Sequence, residues 1–230
     1  MHGLRLSETT LGSKVVVIGL GVIGQLVCRL AEAQGSDVTG IDPDPERSKY
    51  GDNFFTSADD IELKDVDTVI ITAATSSNEP IELATKIARN KAKIVVVGDI
   101  PLNISRNDFY YKELELVVSK SYGPGRYDKQ YEALGNDYPI EYVRWTENRN
   151  FEAFTKLLSQ KQIHLLDLVS EEIAFEDAPS VYEKFEDESK PLSVVLRYNI
   201  DAEPKIEIEN DLQPEPKTSK VNVGILGAGN

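Results

Sequence analysis

"KVVVIGLGVIGQL", Lys14–Leu26, decides the fold. Its first half, Val15–Ile18, is apolar and mostly β-branched at consecutive positions, as a strand buried on both faces requires. At Gly21 the period changes: Val22, Ile23, Leu26, Val27 and Leu30 fall at helical spacing and form one apolar stripe. Between strand and helix stands Gly19-Leu20-Gly21-Val22-Ile23-Gly24, a GxGxxG. Gly19 lets the chain turn off the strand, Gly21 lets a pyrophosphate approach the backbone, and Gly24 lets helix and strand pack closely. The helix start, at Val22 and Ile23, offers free N–H groups and a positive dipole end to phosphates.

Working outward, strand and helix signals alternate through the first 120 residues or so. Gly35 stops the first helix, and Ser36–Asp42 reads as a second strand ended by Pro43. "ERSKYG" predicts a short helix and "NFFT" a short third strand. Asp67–Ala74 is a fourth strand, "NEPIELATKIARN" (residues 78–90) a helix with Pro80 in its first turn, and Lys93–Ile100 a fifth strand. A helix at "RNDFYYKEL" and a sixth strand over Leu114–Ser121 follow. This βαβ rhythm predicts an α/β fold: a doubly wound, parallel, six-stranded Rossmann sheet with helices on both faces. After Ser121 the rhythm loosens into a turn cluster, "YGPGRYD", helices at "DKQYEALG" and "NRNFEAFTKLLSQ", and an extended "PIEYVRW" between them. "FEDAPSVYEKFED" reads as another helix and Leu192–Tyr198 as a last strand. Asp201–Lys220 holds three prolines and six acids and reads as an exposed linker. Val221–Asn230, "VNVGILGAGN", then repeats the strand-Gly-x-Gly opening without a third glycine.

A dinucleotide site should run along the C-terminal strand ends. Asp42 stands 18 residues after Gly24, where a carboxylate accepts the adenosine ribose hydroxyls and repels a 2′-phosphate, favouring NAD over NADP. The alternative is an aspartate that caps the loop before Pro43. Arg47 could accept a 2′-phosphate, bond the ribose, or be solvated. Thr72, Ala73 and Ala74 are small residues that leave room for a cofactor or simply pack tightly. Gly98 ends the fifth strand near the nicotinamide position, and Asp99 reads as a turn residue.

A net charge of −14 would repel a phosphate backbone, so nucleic acid is not an expected partner. One cysteine, Cys28, allows no internal disulfide and no CxxC zinc site, and reads as a core thiol. His164 has no second histidine nearby, so no metal ligand is expected. Trp145 and Arg149 read as an interface or a cap, with an anion site as the alternative. No apolar run reaches membrane length, and "MHGLRLSETT" lacks a secretory signal core; a cytoplasmic setting is expected.

The stretch from "MHGLRLSETTLGSKVVVIGLGVIGQL" through "KIVVVGDIPLNISRNDFYYKELELVVSKSYGPGR" to "IAFEDAPSVYEKF" resembles the nucleotide-binding half of the zinc-type medium-chain dehydrogenases, over about residues 1–198. That resemblance implies a lead-in at residues 1–13, an NAD-binding domain at 14–135, and a return toward a catalytic domain at 136–199. The acidic linker then spans 200–220. Residues 221–230 resemble the start of a second Rossmann domain of the glucose-fructose oxidoreductase and inositol dehydrogenase type, so the chain is expected to be a middle piece of a longer fusion. It further implies hydride transfer between NAD(H) and a small alcohol or sugar-like substrate, with catalytic zinc supplied only by a domain preceding Met1. No catalytic or metal-binding residue is expected in this chain, and the fragment alone is expected to be inactive. The family pairs its sixth strand with a symmetry mate, which implies a homodimer through Leu114–Ser119. The alternative is a non-catalytic NAD(H)-sensing or scaffold module fused to a downstream oxidoreductase.

Overall fold

Strand β1, Lys14–Ile18, sends Val15 and Val17 into one hydrophobic layer and Val16 and Ile18 into another. Such two-sided burial explains why the run carries no alternation of polar and apolar residues. The computed structural model describes residues 1–185 and 191–199. Around β1 lie β2 (Asp37–Ile41), β3 (Phe54–Phe55), β4 (Val66–Ile71), β5 (Ala88–Val96) and β6 (Glu115–Val118). They form one sheet in the order β3-β2-β1-β4-β5-β6, and every pairing is parallel. The expected doubly wound, six-stranded Rossmann sheet is therefore present.

One helical layer contains α1 (His2–Leu6), α2 (Val22–Ala33) and α7 (Glu147–Ser159). Leu4, Val27, Leu30 and Ala31 pack there against Val15, Val17, Ile70 and Val95, with Phe154 and Leu157 at the margin. Opposite lie α4 (Glu79–Ile87) and α5 (Arg106–Lys112), where Ile81, Ala84 and Ile87 meet Val16, Val69, Ile71 and Ile94. Short helices α3 (Pro45–Ser48) and α6 (Lys129–Glu132) sit in connections. A separate two-stranded parallel sheet joins β7 (Glu171–Ala174) to β8 (Val194–Arg197), with α8 (Ala178–Lys184) between them in sequence.

Several local expectations change. The helix expected to run to Asn90 ends at Ile87, because Ala88 turns extended (φ −62°, ψ 137°) and pairs with Val66. Its last carbonyls are closed from outside: the Lys112 ammonium donates to the carbonyls of Thr85 (2.6 Å), Lys86 (3.0 Å) and Ala88 (2.8 Å). A cation at a helix C-terminus also opposes the negative dipole end. β6 is shorter than Leu114–Ser121. "PIEYVRW" is not extended; Tyr142 and Val143 both donate N–H bonds to the Pro139 carbonyl and form a turn. The lead-in carries α1, and β7 was not anticipated. The expected linker at 200–220 and second strand-Gly-x-Gly at 221–230, with Gly227 and Gly229, lie outside the described residues.

Candidate functional site: the cleft at the glycine fingerprint

The switch point of the sheet lies between β1 and β4, where the strand order reverses. There the floor of the site is backbone. Gly19 leaves β1 with φ +96°, and its N–H donates to the Ile41 carbonyl at 2.8 Å. The N–H groups of Thr72 and Ala73 both donate to the Ile18 carbonyl, at 2.8 and 3.1 Å. One strand further, those of Val97 and Gly98 both donate to the Ile71 carbonyl, at 2.8 and 3.0 Å. A Cβ on Gly19 would lie 2.5 Å from the Ala73 nitrogen, and one on Gly98 would lie 1.9 Å from the Ala73 carbonyl oxygen. A Cβ on Gly24 would lie 1.9 Å from the Gly19 carbonyl oxygen. These three glycines are thus required by backbone contact.

Gly21 differs. Among the described residues, a Cβ there would meet only Arg47 Nη1, at 3.3 Å. Gly21 is the N-cap of α2, and among the described residues no side chain bonds the helix's first N–H groups. A helix start uncapped by its own side chains and facing open space can receive an anion.

Asp42 directly follows β2 and is buried, only 6% exposed. Its Oδ2 accepts the Leu20 N–H at 2.7 Å and its Oδ1 accepts the Asp44 N–H at 2.9 Å. The carboxylate therefore shapes the fingerprint loop and the following turn, which was the alternative read from Pro43. Its oxygens retain further lone pairs, so this bonding leaves acceptor capacity for a ligand hydroxyl. Arg47, on α3, forms an ion pair with Asp44 (Nε to Oδ2, 3.2 Å).

Gly19, Gly21, Asp42, Arg47, Thr72, Ala73 and Ala74 line one cleft of about 710 Å³. Sequence reading missed part of its wall: Thr56–Asp59, Thr75, Ser77 and Glu79. Ser57 opens a 3-10 turn there, accepting the Asp59 N–H (3.1 Å) while Asp60 accepts the Ser57 N–H (3.2 Å). That reciprocal pattern, Ser-x-x-Asp, was a readable signal. Gly98 sits behind Ala73 rather than on the wall, and Gly24 is buried. Val22 begins α2 without lining the cleft. Ile23, 57% exposed, faces a different, apolar cavity of about 380 Å³ with Leu26, Phe151, Phe154 and Tyr122.

The other singled-out residues are structural. Cys28 is fully buried, and desolvation pushes its thiol pKa far up. Arg149 bonds the carbonyls of Val143 and Tyr138 (the latter at 2.5 Å) and pairs with Asp137 at 2.9 Å. Trp145 carries Arg5 at 3.1 Å and Arg144 at 3.9 Å from its ring centroid. The His164 carbonyl accepts from Arg29. Among the described residues, no group of three or more His, Cys, Asp or Glu is placed to hold a metal ion, so these residues do not fit a catalytic zinc. Among them, too, no helix is long and apolar enough to cross a membrane.

Residues 3–107 match a family model described as the NAD binding domain of D-isomer specific 2-hydroxyacid dehydrogenases. Among curated proteins, the 2-dehydro-3-deoxy-L-galactonate 5-dehydrogenase of Pseudoalteromonas atlantica is 26% identical over 157 residues, covering 62% of this chain and 43% of that protein. The D-guloside 3-dehydrogenase of Escherichia coli is 23% identical over 214 residues, covering 85% and 57%. The chain thus spans about half the length of the curated relatives it matches. Among solved structures, L-idonate 5-dehydrogenase from Escherichia coli aligns with TM-score 0.66 at 19% identity, over 85% of this chain and 53% of that one. The 2R,3R-butanediol dehydrogenase of Bacillus subtilis aligns with TM-score 0.65 at 20% identity, over 86% and 54%. At such identities the likeness to solved structures is one of fold. The chain shares the fold of part of these dehydrogenases.

Proposed function

We propose that this chain is the NAD(H)-binding half of a zinc-type medium-chain dehydrogenase acting on an alcohol or, given relatives named for a guloside, an idonate and a deoxy-galactonate, a sugar-like substrate. The observation that carries the proposal is the one open glycine of the fingerprint. Gly21 faces the cleft beside an α2 start uncapped by its own side chains, while Gly19, Gly24 and Gly98 are consumed by packing. In this reading the diphosphate lies over Gly21 and the α2 start at Val22 and Ile23. The adenosine ribose meets Asp42, and the nicotinamide end lies toward Thr72–Ala74 and Gly98, beyond β4 and β5. The bound nicotinamide supplies the hydride chemistry, and this chain's residues bind and orient it. Asp42 supports NAD over NADP through repulsion of a 2′-phosphate. Catalytic zinc, in this proposal, belongs to a part of the protein outside this chain, preceding Met1. A second Rossmann domain beginning at residue 221 and a homodimer through Leu114–Ser119 complete it. The parallel edge strand β6, with Val118 58% exposed, supports the dimer, since an isolated edge invites pairing. Titration of the chain with NADH, followed by nicotinamide fluorescence, tests the core of the proposal. Saturable binding in the micromolar range is expected, and absence of binding would remove it.

A further inference from the structure

The fingerprint loop and the β2–α3 connection are tied together by a buried amide whose purpose the packing alone leaves unexplained. Gln25 follows the third glycine and is fully buried. Its Nε2 donates to the carbonyl of Leu20 at 3.3 Å and to the carbonyl of Arg47 at 2.9 Å. Its Oε1 is buried without a hydrogen-bond partner among the described residues. An apolar side chain of similar size would avoid that unmet acceptor, so a purely packing role favours leucine here. The donor end does something packing does not: it fixes the backbone of Arg47 relative to the fingerprint. Leu20 is gripped at both ends, its N–H by Asp42 and its carbonyl by Gln25.

The Arg47 side chain continues from this anchored backbone. Asp44 takes its Nε edge, and Asp44 is itself fixed by accepting the Glu46 N–H at 2.9 Å. Nη1 then stands 3.3 Å from the position a Gly21 Cβ would occupy. Among the described residues, the Nη groups have no hydrogen-bond acceptor, although a guanidinium offers five donors. A cation with one edge pinned and its other donors aimed at the open glycine suits an anion arriving at the α2 start.

Resting on the nucleotide-binding reading, we infer that Arg47 is the counter-ion of the dinucleotide's diphosphate, with Gln25 as the positioning residue that holds it over Gly21. Arg47 on this view does not select for a 2′-phosphate, and NAD and NADP use it equally.

The test is a ligand series on the full chain: adenosine, ADP, NADH and NADPH, by calorimetry and nicotinamide fluorescence, with thermal melts alongside. For Arg47→Ala, ADP and NADH are expected to weaken about tenfold or more, with adenosine unchanged and the NADH:NADPH ratio preserved. Gln25→Leu is expected to weaken ADP in the same direction and to add nothing in the Arg47→Ala background, because both act through one contact. A loss confined to NADPH would make Arg47 a 2′-phosphate ligand and overturn the inference, as would equal loss of adenosine and ADP. Additive losses in the double variant would return Gln25 to a packing role. If the unmodified chain binds neither ADP nor NADH, the nucleotide reading itself falls; if it binds both and Arg47→Ala is silent, only this inference does.

Discussion

Gly24→Ala and Gly21→Val separate the two jobs of one motif, and their contrast can be worked from contact distances. At Gly24 an added Cβ would lie 1.9 Å from the Gly19 carbonyl oxygen and 2.8 Å from Thr72 Oγ1. The Thr72 hydroxyl already donates to that same oxygen at 2.5 Å. Neither the backbone oxygen nor the short threonine can swing aside, so α2 must move off β1. Overpacking of this kind costs about 1–3 kcal/mol, with the upper end expected for a backbone clash. Loss of the Thr72 bond adds about 1 kcal/mol. Alanine's better helix propensity returns about 1 kcal/mol. The net is about 3 kcal/mol, or a fall of roughly 6–12 °C in Tm for a chain of this size. At Gly21 the backbone (φ −63°, ψ −178°) is one any residue adopts, and among the described residues a Cβ meets only the far end of Arg47. Gly21→Val should lose only the N-cap preference for glycine, about 0.5–1 kcal/mol, and melt within about 4 °C of the parent. It should nonetheless lose NADH affinity by about tenfold or more, since the branched side chain fills the diphosphate's approach. Differential scanning fluorimetry and NADH fluorescence on both variants decide it. Equal melting of the two variants, or parental NADH affinity in Gly21→Val, would refute the division of labour.

Asp42→Ala should narrow the gap between NAD and NADP affinity and, by stripping the buried Leu20 N–H of its charged acceptor, cost about 1.5–3 kcal/mol in denaturant unfolding; tighter NADP binding by the unmodified chain would contradict the Asp42 reading. Light scattering at micromolar concentration should return a dimer, and a monomer would count against pairing through Leu114–Ser119. With NADH bound and zinc added, a panel of alcohols and sugars should give no enzyme-dependent change at the NADH absorbance band, because the residues described hold no zinc cluster; clear turnover would reveal an active site not identified above. Arg29 donates to both Asp167 oxygens (2.7 and 2.5 Å), and that pairing holds the Asp167 carboxyl below its usual 3.8. A carboxyl with a depressed folded pKa contributes stability above 3.8 that is lost as pH falls through the folded value. Arg29→Met should therefore show a shallower loss of urea midpoint below that pH than the parent, and an unchanged slope would exclude the pair as a contributor.

The sheet was legible because burial on both faces writes itself as unbroken apolar runs such as Val15–Ile18 and Val69–Ile71, while α2 and α4 keep helical spacing. Gly19 and Gly24 were legible for the same reason that they are glycines, since backbone contact leaves no other choice, whereas Gly21 was legible only from its place in the motif. What escaped the sequence depends on distant partners. Ala88 begins β5 because Val66 is there to pair with it, although "KIARN" alone reads as helix. β7 is a four-residue, half-exposed segment whose sheet partner among the described residues lies more than twenty residues away. Whether Asp42 serves the loop or a ligand could not be read from its position; the bonds to Leu20 and Asp44 establish the first role and leave room for the second. Thr56 was read into the third strand and residues 57–59 into no element, although Ser57 and Asp60 spell a cap.

The Ala73 peptide, wedged between Gly19 and Gly98, has a consequence for anyone who wishes to change what this protein accepts. No side chain can be grown from either glycine without striking Ala73 backbone atoms. Those two positions are therefore closed to redesign and to drift by point substitution. Variation must enter from the rim, where Asp42, Arg47 and the Thr56–Asp59 turn project side chains. A library aimed at altered cofactor choice should randomise those rim positions and leave the glycines fixed. Variants at Arg47 should differ in affinity far more than in melting temperature, whereas changes at Asp42, which accepts the buried Leu20 N–H, and at Ala58, which packs against the sheet core, should move both.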